Sequence, residues 1–229
     1  ISLTILGTTL LRMFLFPGGE VMNPFVFVLL ATAGTFVGFL IINWRPARIY
    51  MGDTGSQFLG ALLAFVGVKF FWNFEYVPDD MANAAIRMLL PIMVFLVPIM
   101  DTSFVTIGRL MRGQSPFVGG KDHLTHSMSY LGVRQSVVPV VLGVVSLISG
   151  SVATLGMLWM LPDSKSSTPY LLILFFLGWV VAIIGIFFAL YKRGEKIGRA
   201  GKRPLSVVRS AAKGRKVSNT KSKEKQHIS

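Results

Sequence analysis

The sequence contains no cysteine, and only 10 of its 229 residues are acidic and three are histidine. Without cysteine there is no disulfide framework and no thiolate metal site, and the redox compartment stays undetermined. Charged residues of both signs make up only 14%, and no internal repeat is visible. What the chain has in quantity is apolar side chains, at 52%, with a mean hydropathy of +0.62, outside the ordinary globular range.

Apolar stretches at 24–42, 56–72, 86–108, 137–161 and 170–191 each approach spanning length, since about 20 helical residues cross roughly 30 Å of hydrocarbon. Residues 1–16 form a further apolar stretch. Backbone amides in lipid must be satisfied within their own segment, so every span is expected to be helical. Pro91, Pro98 and Pro139 fall inside spans, which membrane helices tolerate. The expected fold is all-α, a polytopic transmembrane helix bundle of about six spans. Connections 43–55 and 109–136 and the tail 192–229 carry 19 of the 23 Lys and Arg. The positive-inside rule therefore places both loops, and both termini, in the cytoplasm. Arg12, Lys69 and Arg87 lie toward the other ends of spans and count mildly against this.

Two segments are expected, a membrane body over 1–191 and a basic, disordered tail over 192–229. The tail packs 13 Lys and Arg against two Glu, with Gly, Ser and Pro interspersed. Its expected partner is anionic lipid headgroups. Nucleic acid is not expected, because no aromatic residue is there to stack on bases. The chain opens on Ile partway through an apolar segment, with no basic stretch typical of a signal peptide, and is expected to be the later portion of a longer domain.

The most informative stretch is Ile49-Tyr-Met-Gly-Asp53-Thr-Gly-Ser-Gln-Phe-Leu-Gly60, with Arg45 and Arg48 just upstream. If the following helix starts near Ser56, a good N-cap residue, its amides and positive dipole end favour an anion such as phosphate. Asp53 can then hold Mg²⁺, which needs one or two carboxylates and keeps water or phosphate oxygens as its other ligands. Gly52 and Gly55 permit close backbone approach. A plain capped turn explains the same residue types.

A second basic loop adds to this. Asp101 lies within an apolar span, where a carboxylate is costly and a functional candidate by default; pairing with Arg109 along the same helix is the structural alternative. Beyond come Arg109, Arg112, Lys121, Asp122, His123 and His126. Two imidazoles three residues apart ligate metal, bind phosphate or shuttle protons, or are simply solvated loop residues. The two loops offer an acid for metal, cations for a diphosphate and imidazoles that titrate near neutrality, which suits phosphoryl transfer.

The run Asn43-Trp-Arg-Pro-Ala-Arg-Ile-Tyr-Met-Gly-Asp53-Thr-Gly-Ser-Gln-Phe-Leu-Gly60 resembles the signature of the polyprenyl-phosphate N-acetylhexosamine-1-phosphate transferases. Pro98-Ile-Met-Asp101-Thr and Gly119-Gly-Lys-Asp122-His123-Leu-Thr-His126 resemble that family's second cytoplasmic signature, in the same order. The resemblance spans roughly residues 24–150. It implies attack by a membrane lipid phosphate, such as undecaprenyl phosphate, on the β-phosphate of a UDP-N-acetylhexosamine. Products are lipid-diphosphate-sugar and UMP, and the metal is Mg²⁺ or, alternatively, Mn²⁺. Such reactions start O-antigen, teichoic acid and peptidoglycan intermediates at the cytoplasmic face of a bacterial inner membrane. By the same resemblance Asp53 is the metal-binding aspartate, and His123 and His126 stand near the nucleotide-sugar and diphosphate. Asn43 and Asp122 match motif positions taken as substrate-binding, and Asp101 matches one of less defined role. Arg48, Arg109 and Lys121 are added as substrate-binding on charge and position.

The chain also departs from the pattern. Many relatives carry His-x-His-His where Thr125 stands here, and Arg where Ser127 stands. The family's Asp-Asp motif and its Asn…Asp-Gly…Gly-Leu motif are absent, so these 229 residues alone are expected to release no UMP. The histidine loop leans toward GlcNAc-type donors over the peptidoglycan branch. A transporter, which would want broken helices and ionisable groups at mid-membrane, and a silent membrane scaffold are the other readings.

Overall fold

The structure is a computed structural model that describes residues 1–16, 24–44, 48–73, 81–115, 117, 123–158 and 168–199. All regular structure among them is helical: α1 (Ser2–Leu15), α2 (Pro24–Asn43), α3 (Gly52–Val66), α4 (Met81–Val94), α5 (Leu96–Leu110), α6 (Leu124–Tyr130), α7 (Val138–Leu158) and α8 (Thr168–Arg199). The all-α membrane fold read from the sequence is what the chain adopts.

Four helices are long and apolar enough to cross a membrane, and a fifth span is counted if the bent pair α4 and α5 forms one. The expected six included residues 1–16. Here α1 has 14 residues, about 21 Å at 1.5 Å per residue, short of the hydrocarbon thickness. Residues 86–108, expected as one span, are broken at Phe95 with a bend of 79°. Pro98 supplies the reason. It has no N–H to offer the Val94 carbonyl four residues back, and its ring crowds that carbonyl. A new helix then starts at Leu96, with Pro98 tolerated in its first turn. The break leaves other amides satisfied: Phe95 N–H donates to the Pro91 carbonyl at 2.9 Å, and Ile99 N–H to that of Phe95 at 3.0 Å.

α2 starts on Pro24, whose fixed φ suits a first helical position, and carries no charge over 20 residues. Thr32 and Thr35 turn their hydroxyls onto the carbonyls of Val28 and Ala31, so no polar group is left to lipid. α3 passes into a π-helical stretch, Gly67–Trp72. The widened turn carries Gly67, Phe70 and Phe71, all buried, and the Phe95 ring lies where a side chain on Gly67 would be.

The chain divides into two compact units, residues 1–100 with 141–183 and residues 101–140 with 184–229. The first has an apolar core that includes Ile5, Leu6, Phe70, Phe71, Met93 and Phe176. In a membrane such packing gains from close contact more than from water exclusion, so small residues mark the helix interfaces. α7 illustrates this. Thr4 Oγ1 of α1 donates to Ser146 Oγ at 2.9 Å, and Trp179 Nε1 of α8 donates to Ser149 Oγ at 3.1 Å. Gly150 lies against Thr8 and Gly156 against the Phe176 ring. Arg12 is buried, with its guanidinium 5.5 Å from the centres of the Phe16 and Phe70 rings, a desolvated geometry in which cation–π attraction is strongest.

The second unit is built from the end of α5, α6 and the last part of α8. α5 stops at Gly113, whose φ of +65° lets the chain reverse. Gln114 N–H then donates to the Arg109 carbonyl and Gly113 N–H to that of Leu110, both at 3.0 Å, the two-bond ending that glycine C-caps provide. α8 runs on to Arg199, so the boundary read at Lys192 falls inside a helix. Basic residues near a helix C-terminus complement its dipole, and the basic run begins within α8. Residues 200–229, the rest of the expected tail, lie outside the described residues.

Candidate functional site

In the first unit, the segment after α2 is organised by Asn43. Its Oδ1 accepts the backbone N–H groups of Arg48 at 2.9 Å and Ile49 at 3.3 Å. Asn43, expected to bind substrate, thus has its carboxamide oxygen engaged in holding the approach to α3. The Arg48 side chain is exposed; Arg45 lies outside the described residues.

α3 begins at Gly52, four residues before the Ser56 start that the sequence suggested. Gly52 has a φ of +70° with open space around it, a left-handed conformation that favours glycine. Asp53 therefore sits inside the first helical turn and is exposed. There a carboxylate complements the positive end of the dipole, worth about 0.3–1 kcal/mol at a solvated position. Ser56 is not the cap; its hydroxyl donates back to the Asp53 carbonyl at 3.0 Å. Gly55 does not open the backbone to a ligand either, because the Met51 side chain covers the place of its missing Cβ. The Asp53 carboxylate makes no hydrogen bond or ion pair among the described residues.

Its chemistry fits a cation that needs one protein carboxylate and completes its shell with water and phosphate oxygens, as Mg²⁺ does. Among the described residues no three His, Asp or Glu side chains gather as a metal cage.

In the second unit, Asp101 is wired in the opposite way. Its Oδ2 lies 3.0 Å from His123 Nδ1, and its Oδ1 accepts the Leu124 N–H at 2.7 Å. Leu124 opens α6, and His123, at the N-cap, offers that helix no side-chain bond. Asp101 supplies the cap from α5 instead. The pairing with Arg109 weighed from the sequence gives way to one with His123. His126, one turn into α6, is partly exposed. Arg109, expected as substrate-binding, is buried at the last turn of α5, 5% exposed. Lys121 and Asp122 lie outside the described residues.

Sequence reading missed what holds α6 in place. Gly194 of α8 meets the Ser127 backbone so closely that any side chain would collide with it, and Gly198 lies against the Tyr130 ring. Arg112 pairs with Glu195 and with Gln114. Phe104 packs on Phe188 and Tyr191, with ring centres 5.6 and 5.5 Å apart. Two signals were present: an isolated Glu in a basic run, and the glycine pair four apart, a spacing that permits close helix approach. Beside these, Phe104, Ile107, Phe188, Lys192 and Glu195 help line a cavity of about 430 Å³.

The model of glycosyl transferase family 4 matches residues 1–71, a stretch that includes Asn43, Arg48 and Asp53. Over that stretch the chain is similar to glycosyl transferase family 4. It is 28% identical, over 69% of its length and 42% of the relative's, to a Bacillus subtilis protein named a probable undecaprenyl-phosphate N-acetylglucosaminyl 1-phosphate transferase. It is 31% identical, over 60% of its length and 36% of the relative's, to the decaprenyl-phosphate N-acetylglucosaminephosphotransferase of Mycolicibacterium smegmatis. A 42-residue stretch, 18% of this chain and 12% of the relative, is 62% identical to the phospho-N-acetylmuramoyl-pentapeptide-transferase of Chlamydia trachomatis serovar L2. The chain thus spans less than half the length of these relatives. No solved structure matches it. The resemblance drawn from the two motifs is borne out at the level of the family.

Proposed function

We propose that the protein to which this chain belongs transfers N-acetylhexosamine-1-phosphate from a UDP-sugar to a polyprenyl phosphate. UMP is released and a lipid-linked cell-envelope glycan begins. The observation that carries this reading is Asp53, a solvent-facing carboxylate with no protein partner among the described residues, in the first turn of a helix. The names of the relatives supply the acceptor class and favour a GlcNAc-type donor.

Asp53 would hold Mg²⁺, which when bound offsets charge on the sugar-nucleotide diphosphate. The amide groups that open α3 favour phosphate, Arg48 adds an exposed cation, and Asn43 keeps the approach in shape. In the second unit, His123 and His126 present imidazoles to the nucleotide-sugar. The cavity there, with aromatic walls and Lys192 among its lining residues, suits a lipid phosphate. By the charge of its loops the active face is cytoplasmic, in an inner membrane, with the basic tail near anionic lipid.

The bend between α4 and α5 is a broken helix of the kind a transporter would want. It does not favour that reading, because its flanking residues Val94, Leu96 and Val97 are buried and apolar, with no ionisable group for a substrate ion. The test is Asp53→Asn in the intact protein, assayed for Mg²⁺-dependent UMP release with UDP-GlcNAc and undecaprenyl phosphate. Loss of release with normal expression and insertion is expected; full activity overturns the reading.

A further inference from the structure

We infer that Asp101 is a positioning residue that fixes the tautomer of His123, so that the imidazole turns a bare Nε2 lone pair outward. This rests on the proposed transferase reading for what the lone pair does, but its geometry does not.

Which atoms can donate decides the tautomer. A backbone N–H only donates, so the Leu124 amide, 2.7 Å from Asp101 Oδ1, fixes that oxygen as an acceptor. The second oxygen of an ionised carboxylate is also an acceptor. The His123 Nδ1 that faces it at 3.0 Å must then carry the hydrogen. In a neutral imidazole, hydrogen on Nδ1 leaves Nε2 without one. The His123 side chain is 51% exposed while that of Asp101 is 25% exposed, so the ring is accessible although its inner edge is held. One carboxylate thereby does two things. It caps α6 at Leu124, and it sets which ring nitrogen accepts from a substrate hydroxyl or amide N–H. Both follow from the lone apolar-span acid that sequence alone left without a defined role.

Asparagine at position 101 separates the two effects. Its single oxygen must go to the Leu124 N–H, since an amide NH₂ there would place donor against donor. The cap survives, and the NH₂ faces Nδ1, which must become the acceptor. The ring is driven to the other tautomer, and Nε2 then presents a hydrogen where a lone pair stood.

The experiment uses the intact protein in lipid nanodiscs with ¹⁵N-labelled histidine, at mildly alkaline pH where imidazole is neutral. His123→Gln assigns the signals. The wild-type spectrum is expected to show a protonated Nδ1 and an unprotonated Nε2 for His123, and Asp101→Asn the reverse. With UDP-GlcNAc and undecaprenyl phosphate, kcat of Asp101→Asn is expected to fall about 10²–10⁴-fold, the range of a misplaced acid–base group. KM for UDP-GlcNAc and the unfolding temperature should stay near wild type. Asp101→Ala loses the cap as well and should unfold at lower temperature. Asp101→Asn combined with His123→Gln should be no slower than His123→Gln alone, the signature of residues acting as one unit. A wild-type His123 protonated at Nε2, an unreversed tautomer in Asp101→Asn, or a reversed tautomer with unchanged kcat each overturns the inference. If the wild-type protein transfers no sugar phosphate, the function proposal fails, while the spectra still decide the tautomer.

Discussion

Asp53 and Asp101 are two aspartates on two apolar helices, and their oxygens are used in opposite ways. Asp53 stands in a first turn with its carboxylate facing solvent. Asp101 has one oxygen on a backbone amide and the other on an imidazole. A carboxylate left open by the protein is available to a ligand, whereas one with both oxygens engaged by the protein shapes its neighbours. Motif matching gives Asp53 a metal-binding role and leaves that of Asp101 less defined. Following each oxygen to its partner tells the ligand-facing acid from the positioning acid.

The comparison breaks most sharply at Asp53. Asp53→Asn should lower sugar-phosphate transfer by about 10²–10³-fold or more, the loss typical when one preorganised charge at a reacting phosphate is removed. It should leave the unfolding temperature almost unchanged, because the side chain supports no other described residue. An unfolding shift as large as that of Asp101→Ala would erase the contrast.

Next in size is Gly194→Ala, which pushes a methyl group into the Ser127 backbone. Overpacking of this kind costs about 1–3 kcal/mol, and backbone cannot turn aside as a side chain can. The unfolding temperature should fall, and the His123 signals should broaden or move while activity drops with them. Gly34→Ala, in open space on α2, is the control that should do neither.

Asn43→Ala leaves the Arg48 and Ile49 amides without their acceptor. At an exposed loop water replaces it in part, so a loss of about 1 kcal/mol is expected. Slower transfer by roughly tenfold should follow from a looser approach to Asp53. Asn43→Asp keeps the acceptor oxygen and should restore much of the rate. A defect in Asn43→Asp equal to that of Asn43→Ala would show that the amide nitrogen matters instead.

The smallest effect is expected from Glu195→Gln. The Arg112 pair is partly exposed, with side-chain exposures of 20% and 19%, so screening holds its worth to about 1 kcal/mol or less. A slight drop in unfolding temperature, reduced further by added salt, is the measurement to make. A larger loss would give the end of α8 a stronger hold on α5 than its packing indicates.

Much of this was legible from residue order. Spanning stretches announce themselves because lipid demands long apolar helices, and both aspartates stood out as acids where acids are rare. Features set by contact rather than composition were not legible. Pro98 was visible, but membrane helices often absorb proline, so only the structure shows the 79° break. Ser56 looked like a cap because Ser usually is one, while the left-handed Gly52 let the helix start a turn earlier. Asp101 pointed to Arg109 by helical spacing, and the fold brought a loop histidine nearer. Glu195 was lost in a basic run because nothing in the sequence says which helix a glycine face will meet.

The length of α8 has a practical consequence. At 32 residues and 1.5 Å per residue it measures about 48 Å, some 18 Å more than a bilayer's hydrocarbon core. The excess, about a dozen residues, is comparable to the stretch that carries Gly194, Glu195 and Gly198. A stop codon just after Tyr191 would therefore leave an anchor of ordinary length. The truncated product would pass every check for synthesis and membrane delivery, yet lack the floor beneath its histidines. For this chain, abundance in the membrane is a poor proxy for competence, and variant surveys scored on abundance alone will overlook the last two turns or so of that helix.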